Sequence, residues 1–407
     1  MPSATRMRTH ARVALRKNLA RAISAGHPWI FRDALKPGPA LADGAVVLLT
    51  TGEGRPLGRG FWTASTPIAV RMLTTDAGDD LPTLLGHRLT AALQRRLDVI
   101  DIERTDAFRW VHGEADLLPG LHLDLYGPYG AVRFDGPGAR AFYEGLTSVI
   151  GAAGARVGLH SLIERVPRRR DGKGECQGQD GGAALLGRIP AGEIEVRENG
   201  LLFGVDLAHG QKGGLFLDQR ENRERVRGLA RGLRVLNLFG YTGGFSVYAA
   251  AGGATSTVTV DSAAGAIDSA RRNFERNDLS VAAAGFVVAD VFAFLSDAAK
   301  NGRQWDLVIS DPPSFAPNRR ALPEALVAYR RLHRMCAGVV APGGILCAAS
   351  CSSHVDQNAF VDSVVTGCAE AGRVFHARAH HGAGVDHPVL AVFPEGRYLK
   401  FSIGAVG

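Results

Sequence analysis

Asn237-Leu238-Phe239-Gly240-Tyr241-Thr242-Gly243-Gly244-Phe245-Ser246 takes a largely apolar run, Arg234–Leu238, into a glycine-rich turn and on into a helix-forming stretch. The run reads as a strand buried on both faces, and the glycines let the backbone turn sharply and let a ligand approach the start of the helix. Downstream, further runs at Thr257–Val260, Phe286–Ala289, Leu307–Ser310 and Ile345–Ser350 alternate with helical patterns, and a hairpin pattern precedes them from about Glu193. Such alternation predicts an α/β fold whose mostly parallel sheet is covered on both faces. Ligands of these sheets bind at the carboxyl ends of the strands, so the residues at those ends are the candidates.

The second strand ends at Asp261-Ser262, 21 residues after Gly240, where a carboxylate can accept both hydroxyls of a ribose. The third ends at Asp290-Val291, an acid beside an apolar wall that suits an adenine amino group. One such acid alone is more often a helix cap. A glycine turn followed by two acids at successive strand ends favours a nucleoside-bearing cofactor, and the absence of GxGxxG weakens a dinucleotide. The fourth strand ends in Asp311-Pro312-Pro313-Ser314-Phe315, whose prolines fix an extended turn without donors. The fifth delivers Cys351-Ser352-Ser353-His354; Cys351 stands where sheet meets substrate, whereas Cys336, Cys347 and Cys368 read as buried filler.

The 407 residues, 46% hydrophobic and 21% charged, predict two or three soluble domains, and no stretch approaches the roughly 20 apolar residues that cross a membrane. Five cysteines, with no pair at zinc or redox spacing, predict a reducing cytoplasm and no metal site. The Arg-rich start leaves an organellar leader as a minor alternative. Residues 1–75 hold eleven Lys/Arg against three acids, so they carry +8 of a net +7 and the rest of the chain sums to −1. Charge gathered at one end suits a module that grips a polyanion, although a solvated basic surface reads the same way.

Ala11–Ser24 reads as a strand running into a short helix, and Ala45–Leu49, Gly58–Trp62 and Ile68–Leu73 read as strands of a small β-barrel. Leu84–Ile100, with leucines at every fourth position from Leu85 to Leu97, reads as a helix. Leu121–Tyr126 and Ala131–Phe134 read as strands and about Ala139–Gly151 as a helix, making a small α/β unit. The Arg-, Gly- and Gln-rich Arg168–Gly187 is expected to be a mobile loop. The expected domains are therefore 1–78, 79–192 with an insert at 168–187, and 193–407.

With these segments in place, the chain resembles bacterial ribosomal RNA large-subunit cytosine-5 methyltransferases that carry an N-terminal PUA domain. The resemblance covers nearly all of it: Gly26-His27-Pro28-Trp29-Ile30-Phe31 and Gly58-Arg59-Gly60-Phe61-Trp62, then His112-Gly113-Glu114-Ala115-Asp116 and Leu118-Pro119-Gly120-Leu121. Gly210-Gln211-Lys212, Phe216-Leu217-Asp218-Gln219-Arg220, the Phe239–Phe245 turn, Asp311–Phe315 and Ser350-Cys351-Ser352 extend it through the second half. Gly213, where relatives usually carry Thr, and the 168–187 insert depart from it.

The resemblance implies a Rossmann-like class I domain with a seven-stranded sheet, a PUA-like barrel and a small central α/β domain. It implies S-adenosylmethionine as cofactor, held by Asn237, Phe239, Gly240, Tyr241, Thr242, Gly243, Gly244, Phe245, Asp261, Ser262, Asp290, Val291 and Asp311, with Asp218, Gln219 and Arg220 capping the pocket. Cys351 would be the nucleophile and Asp311 its catalytic partner. Lys17, Arg21, His27, Trp29, Arg59 and Phe315 would meet RNA, expected to be 23S ribosomal RNA; a homodimer is compatible with the sequence. Methyl transfer to an exocyclic nitrogen, a non-catalytic RNA-binding assembly factor and a nicotinamide dehydrogenase are the competing readings, in that order.

Overall fold

The computed structural model describes residues 10–165, 169–170, 176–177, 183–208 and 214–407; Gly210-Gln211-Lys212, Gly213 and most of the 168–187 insert lie outside the described residues. Two units emerge, one from residues up to Ile100 with Phe108–Ile189 and Pro388–Gly396, the other from Asp101–Ala107, Pro190–His387 and Arg397–Gly407.

The first unit opens with β1 (Ala11–Ala14), α1 (Ala20–Ser24), β2 (Trp29–Phe31), β3 (Val46–Thr50), β4 (Pro56–Trp62) and β5 (Ile68–Thr74). They form a five-stranded sheet in the order β1-β3-β4-β5-β2, and a bridge from Leu15 to Leu35 draws its two edges together, as the barrel reading expected. A Cβ on Gly60 would stand 2.4 Å from the carbonyl oxygen of Arg71, and one on Gly58 2.1 Å from that of Thr74. Only glycine lets β4 and β5 approach this closely, which gives the Gly58-Arg59-Gly60 motif a packing cause.

Then follow α2 (Leu81–Leu97), β6 (Ala107–His112), β7 (Leu121–Tyr126), β8 (Tyr129–Phe134), α3 (Pro137–Tyr143), α4 (Thr147–Gly154) and β9 (Ser161–Glu164). Short pairs β10 (Arg169–Arg170) and β11 (Cys176–Gln177) precede β12 (Ala184–Leu186). The second sheet runs β12-β9-β8-β7-β6. Two expectations need correction. The helix expected over 139–151 is two helices separated by a 3-10 turn at Glu144–Leu146, where Gly145 weakens the continuous helix. The expected loop 168–187 contains at its end the strand β12, which pairs with β9.

Phe61 and Leu73 of the first sheet share a core with Leu85, Leu89, Trp110 and Tyr143. Glu114, 6% exposed, accepts from Trp29 Nε1 at 2.7 Å and from Arg71 at 2.5 Å, and Asp116 takes both guanidinium nitrogens of Arg96 at 2.6 and 2.7 Å. The His112–Asp116 motif is thus a set of buried anchors. Two side chains expected at RNA are held within this unit. Arg59 is buried and donates to the carbonyl of Asp79. Trp29 has Arg71 over its ring at 5.3 Å and forms a T-shaped pair with Phe393 at 4.5 Å. His27, half-buried, packs edge-on against Phe393 at 6.0 Å, whereas Lys17 and Arg21 are exposed, Lys17 paired with Asp33.

The second unit begins with the hairpin β13 (Ile194–Glu198) and β14 (Leu201–Val205), then α5 (Arg220–Leu229) and β15 (Arg234–Leu238). Next come α6 (Gly244–Ala251), β16 (Ser256–Asp261), α7 (Ala264–Arg276), β17 (Ala284–Val288), α8 (Val291–Lys300) and β18 (Trp305–Ser310). The chain closes with α9 (Leu322–Val339), β19 (Val340–Ser350), α10 (Gln357–Glu370), β20 (Phe375–His381) and β21 (Lys400–Val406). The seven-stranded sheet runs β17-β16-β15-β18-β19-β21-β20, parallel as far as β19 and antiparallel in its last two pairings. Its strands are Val-, Leu- and Ile-rich because both faces are covered: Leu236, Leu238, Val308 and Leu346 lie on one side with α8, α9 and α10, and Val235, Leu307, Ile309 and Cys347 on the other with α5 and α6.

Candidate active site at the carboxyl ends of the sheet

The chain leaves β15 for β16 on one side and returns as β18 on the other, so strand order reverses between β15 and β18. A crevice opens at such a switch point. Leu238 pairs in register with Val260 and Ser310, and the Asp311 N–H reaches the carbonyl of Leu238 at 3.5 Å, so the glycine turn, Asp261 and Asp311 share one rim.

Phe239, Tyr241 and Gly243 all adopt left-handed backbone, with φ of 56°, 46° and 79°. Two non-glycine residues in this region are costly unless their surroundings over-determine them. Here Asp261 does so: its Oδ2 accepts the Tyr241 N–H at 2.9 Å and its Oδ1 the Ala263 N–H at 2.9 Å. Gly240 cannot be larger, since a Cβ would meet Thr259 Cγ2 at 2.5 Å.

Phe239, Gly240, Tyr241, Gly244, Asp261, Ser262 and Asp290 all keep surface at this rim. Asn237, Thr242, Gly243, Phe245 and Val291 are buried beneath it. Phe245 stacks on Phe401 with centroids 5.7 Å apart, and the Val291 side chain joins the core. Asn237 donates to Ser246 at 3.0 Å, while its buried Oδ1 has no hydrogen-bond partner among the described residues. Asp290 caps α8 by accepting from the Ala293 N–H at 2.9 Å, and it remains exposed.

The capping segment splits. Gln219 donates to Asp311 Oδ2 at 3.0 Å, and Asp218 accepts from the Tyr398 hydroxyl at 2.6 Å. Arg220 is turned inward instead: both its terminal nitrogens bind Asp386, at 3.0 and 2.9 Å, and it also bonds Glu221. The Asp386 carboxylate is held well below the usual carboxylate range: burial opposes its charge, and His387 and then Arg220 outweigh that. This pair is part of the fold's own framework.

Cys351 follows β19, half-buried, and a hydroxyl network ties its two neighbours to the proline turn. Ser350 Oγ bonds Tyr329 Oη at 2.9 Å, Tyr329 Oη bonds Ser352 Oγ at 3.0 Å, and Ser352 Oγ bonds Ser314 Oγ at 3.0 Å. Phe315 packs on the Tyr329 ring, centroids 4.8 Å apart. Residues on both sides of Cys351 are therefore fastened to the turn that carries Asp311. Three other cysteines are poor nucleophiles: burial pushes the Cys336 and Cys347 thiols up to about 12 and Cys368 to about 11. Tyr329, Asn222, Tyr398 and Lys400 were not legible as site residues, since nothing in their sequence neighbourhood signals a partner so far along the chain.

The reversed strand order, the antiparallel last strand and the glycine turn with its acids define a class I S-adenosylmethionine-dependent methyltransferase. A family model described as S-adenosylmethionine-dependent methyltransferase matches residues 175–374, and one described as a PUA-like domain matches 13–75. Among solved structures, a protein from Streptococcus mutans assigned as a SAM-dependent methyltransferase is similar with a TM-score of 0.81 and 23% identity, covering 97% of this chain and 100% of that one. A structure assigned as a methyltransferase and complexed with SAH is similar at TM-score 0.81 and 24% identity, over 97% and 99%. Proteins named Ribosomal RNA large subunit methyltransferase I are 32% identical in Salmonella gallinarum and 31% in Salmonella enteritidis, in each case over 96% of both chains. The chain belongs to the ribosomal RNA large subunit methyltransferase I family.

Proposed function

We propose that the enzyme methylates carbon 5 of a cytosine in large-subunit ribosomal RNA, with Cys351 as nucleophile and Asp311 holding the base. The observation that carries this reading is the hydroxyl network that fastens the residues flanking Cys351 to the Asp311–Phe315 turn. The printed name of the relatives supports the substrate class.

The rim fits the cofactor: carboxylates at Asp261 and Asp290 accept from hydroxyls and an amine, and the buried Asn237 Oδ1 offers an unused acceptor below the turn. The backbone of Phe239–Gly244, with Asp261, Ser262 and Asp290, would hold it. S-adenosylmethionine supplies an electrophilic methyl group when bound. Carbon 5 of a pyrimidine is too weak a nucleophile to take that methyl unaided. The Cys351 thiolate adds to carbon 6, forming a C–S bond and pushing the ring electrons onto carbon 5, which would then take the methyl as the methyl carbon's bond to the cofactor sulfur breaks and S-adenosylhomocysteine is left behind. Carbon 5 gives up its proton to a water molecule, the double bond re-forms, and the C–S bond breaks to release the thiolate. Asp311 accepts from the exocyclic amine of the unstacked base and holds it in place against Cys351 as the adduct forms.

In this account 1–78 grips RNA, 79–192 supports it, and 193–407 carries the chemistry. Lys17 and Arg21 are exposed cations suited to phosphates, and Phe315 flanks the target base. Among the described residues no helix is long and apolar enough to cross a membrane, and a ribosomal substrate implies cytoplasmic work. The substrate is read as 23S RNA, and light scattering tests the homodimer. Mass spectrometry of ribosomal RNA from cells with and without this gene tests the reaction. A carbon-5-methylated cytosine that disappears with the gene supports it, and a methyl on an exocyclic nitrogen replaces it with the competing chemistry.

A further inference from the structure

Lys400 opens β21, and antiparallel pairing sets it directly opposite Ser350, the residue before Cys351. Its ammonium is buried, with 3% of the residue exposed, and donates to the carbonyl of Ser352 at 2.6 Å and that of Tyr398 at 2.8 Å. The nitrogen thus lies against the carbonyl of the residue that follows Cys351. An ammonium has three donors, and these two bonds leave one. Both partners are neutral carbonyls, and among the described residues Lys400 forms no ion pair with a carboxylate. A buried cation without an opposite charge is costly, so the site calls for an anion.

The acidic groups that act on Lys400 are Cys351 first and Asp356 second. Asp356 is exposed and occupied in capping α10 through the Ala359 N–H at 2.8 Å. Tyr329, which also faces Cys351, stays neutral because burial raises its phenol. That leaves the thiolate.

We propose that Lys400 is the counter-ion that holds Cys351 as a thiolate, a role that rests on reading Cys351 as the nucleophile. Burial brings the Lys400 ammonium down to about 8, which leaves it largely protonated at neutral pH. The proton lost by the thiol passes to solvent, while the charge on Lys400 stays beside the sulfur both before addition to carbon 6 and after expulsion from it. Lys400 is a positioning residue: it acts on the ring through Cys351.

The test is the pH profile of iodoacetamide alkylation at Cys351, read on its own peptide by mass spectrometry in the full-length protein. The wild-type midpoint should lie below about 7.5, against about 8.5 for an unperturbed thiol. Lys400→Met should slow alkylation at pH 7 at least tenfold, and Lys400→Arg should restore most of it. S-adenosylmethionine affinity, measured by calorimetry, reports that the variants are folded. A wild-type midpoint at or above about 8.5, or a Lys400→Met profile that matches the wild type, overturns the proposal; the first holds even where the Met variant fails to fold. Failure of the underlying reading is separate, because it shows as continued methylation by Cys351→Ala whatever the alkylation profile.

Discussion

The side-chain amide of Gln219 donates to a carboxylate oxygen of Asp311 at 3.0 Å, and the Gln219 carbonyl in turn accepts from the Asn222 amide at 2.7 Å. Because Asn222 also donates to the Gly382 carbonyl, the Gln219 amide is oriented with its N–H2 toward Asp311. Gln219 is 2% exposed, so it reaches the reaction through Asp311.

Gln219→Leu should therefore lower turnover about 10- to 100-fold, the range expected for losing a hydrogen bond to a charged group, about 1.5–3 kcal/mol. Affinity for S-adenosylmethionine should stay within twofold by calorimetry. A weakened cofactor with unchanged turnover would return Gln219 to the capping role that the sequence suggested.

Asp261→Ala should weaken S-adenosylmethionine binding by about 1.5–3 kcal/mol, through loss of its charged acceptor and of the hold on left-handed Tyr241. Asp261→Asn should fare little better, since one of its two side-chain positions becomes a donor facing a backbone N–H. Calorimetric affinities equal to wild type would remove Asp261 from the ribose.

How much of this was readable in advance differs by level. The five parallel strands stand out because each is a short apolar run, and β15 begins and ends where the pattern puts it. The strand-end residues follow from topology alone. What periodicity could not supply is which side chains were already committed inside the fold. Arg220 and Arg59 look like free cations in sequence, yet Asp386 lies 166 residues from Arg220 and fixes it. Trp29, expected to meet RNA, has Phe393 and Arg71 against it, contacts that no local pattern signals. Lys400 carries no motif, and only the pairing of β21 with β19 brings it to Cys351.

The basic surface of the first unit can be tested without cutting it. Deleting 1–75 would strip Phe61 and Leu73 from a shared core, so charge substitutions are cleaner. Replacing the exposed Arg12, Lys17 and Arg21 together by Gln should lower RNA affinity and reduce the slope of log K against log salt by about 2–3, at roughly 0.7–0.9 per phosphate contact. An unaltered slope places the RNA grip on another surface.

His333 is fully buried, bonds Ser363 Oγ at 3.3 Å, and is pushed down to about 4 by burial. Its folded value lies below the usual 6.5, so between those values the unfolded chain binds the proton and the folded one does not. Stability from this residue is therefore present above about pH 6.5 and lost as pH falls toward 4, by about 2 kcal/mol at pH 5. Urea midpoints measured at pH 7 and 5 should fall for the wild type and fall less for His333→Asn. Equal losses in the two proteins would contradict a buried neutral imidazole.

The central claim is that Cys351 bonds carbon 6 of the target cytosine, and RNA carrying 5-fluorocytosine at that position tests it most directly. Fluorine at carbon 5 prevents the proton loss that precedes release, so wild-type enzyme with S-adenosylmethionine should accumulate on the RNA as a denaturation-resistant adduct. The peptide containing Cys351 should carry the nucleotide mass, while Cys351→Ala should form no adduct, keep near-normal cofactor affinity and lose turnover on ordinary RNA. A Cys351→Ala enzyme that still methylates carbon 5, or an adduct carried by a different residue, would contradict the account.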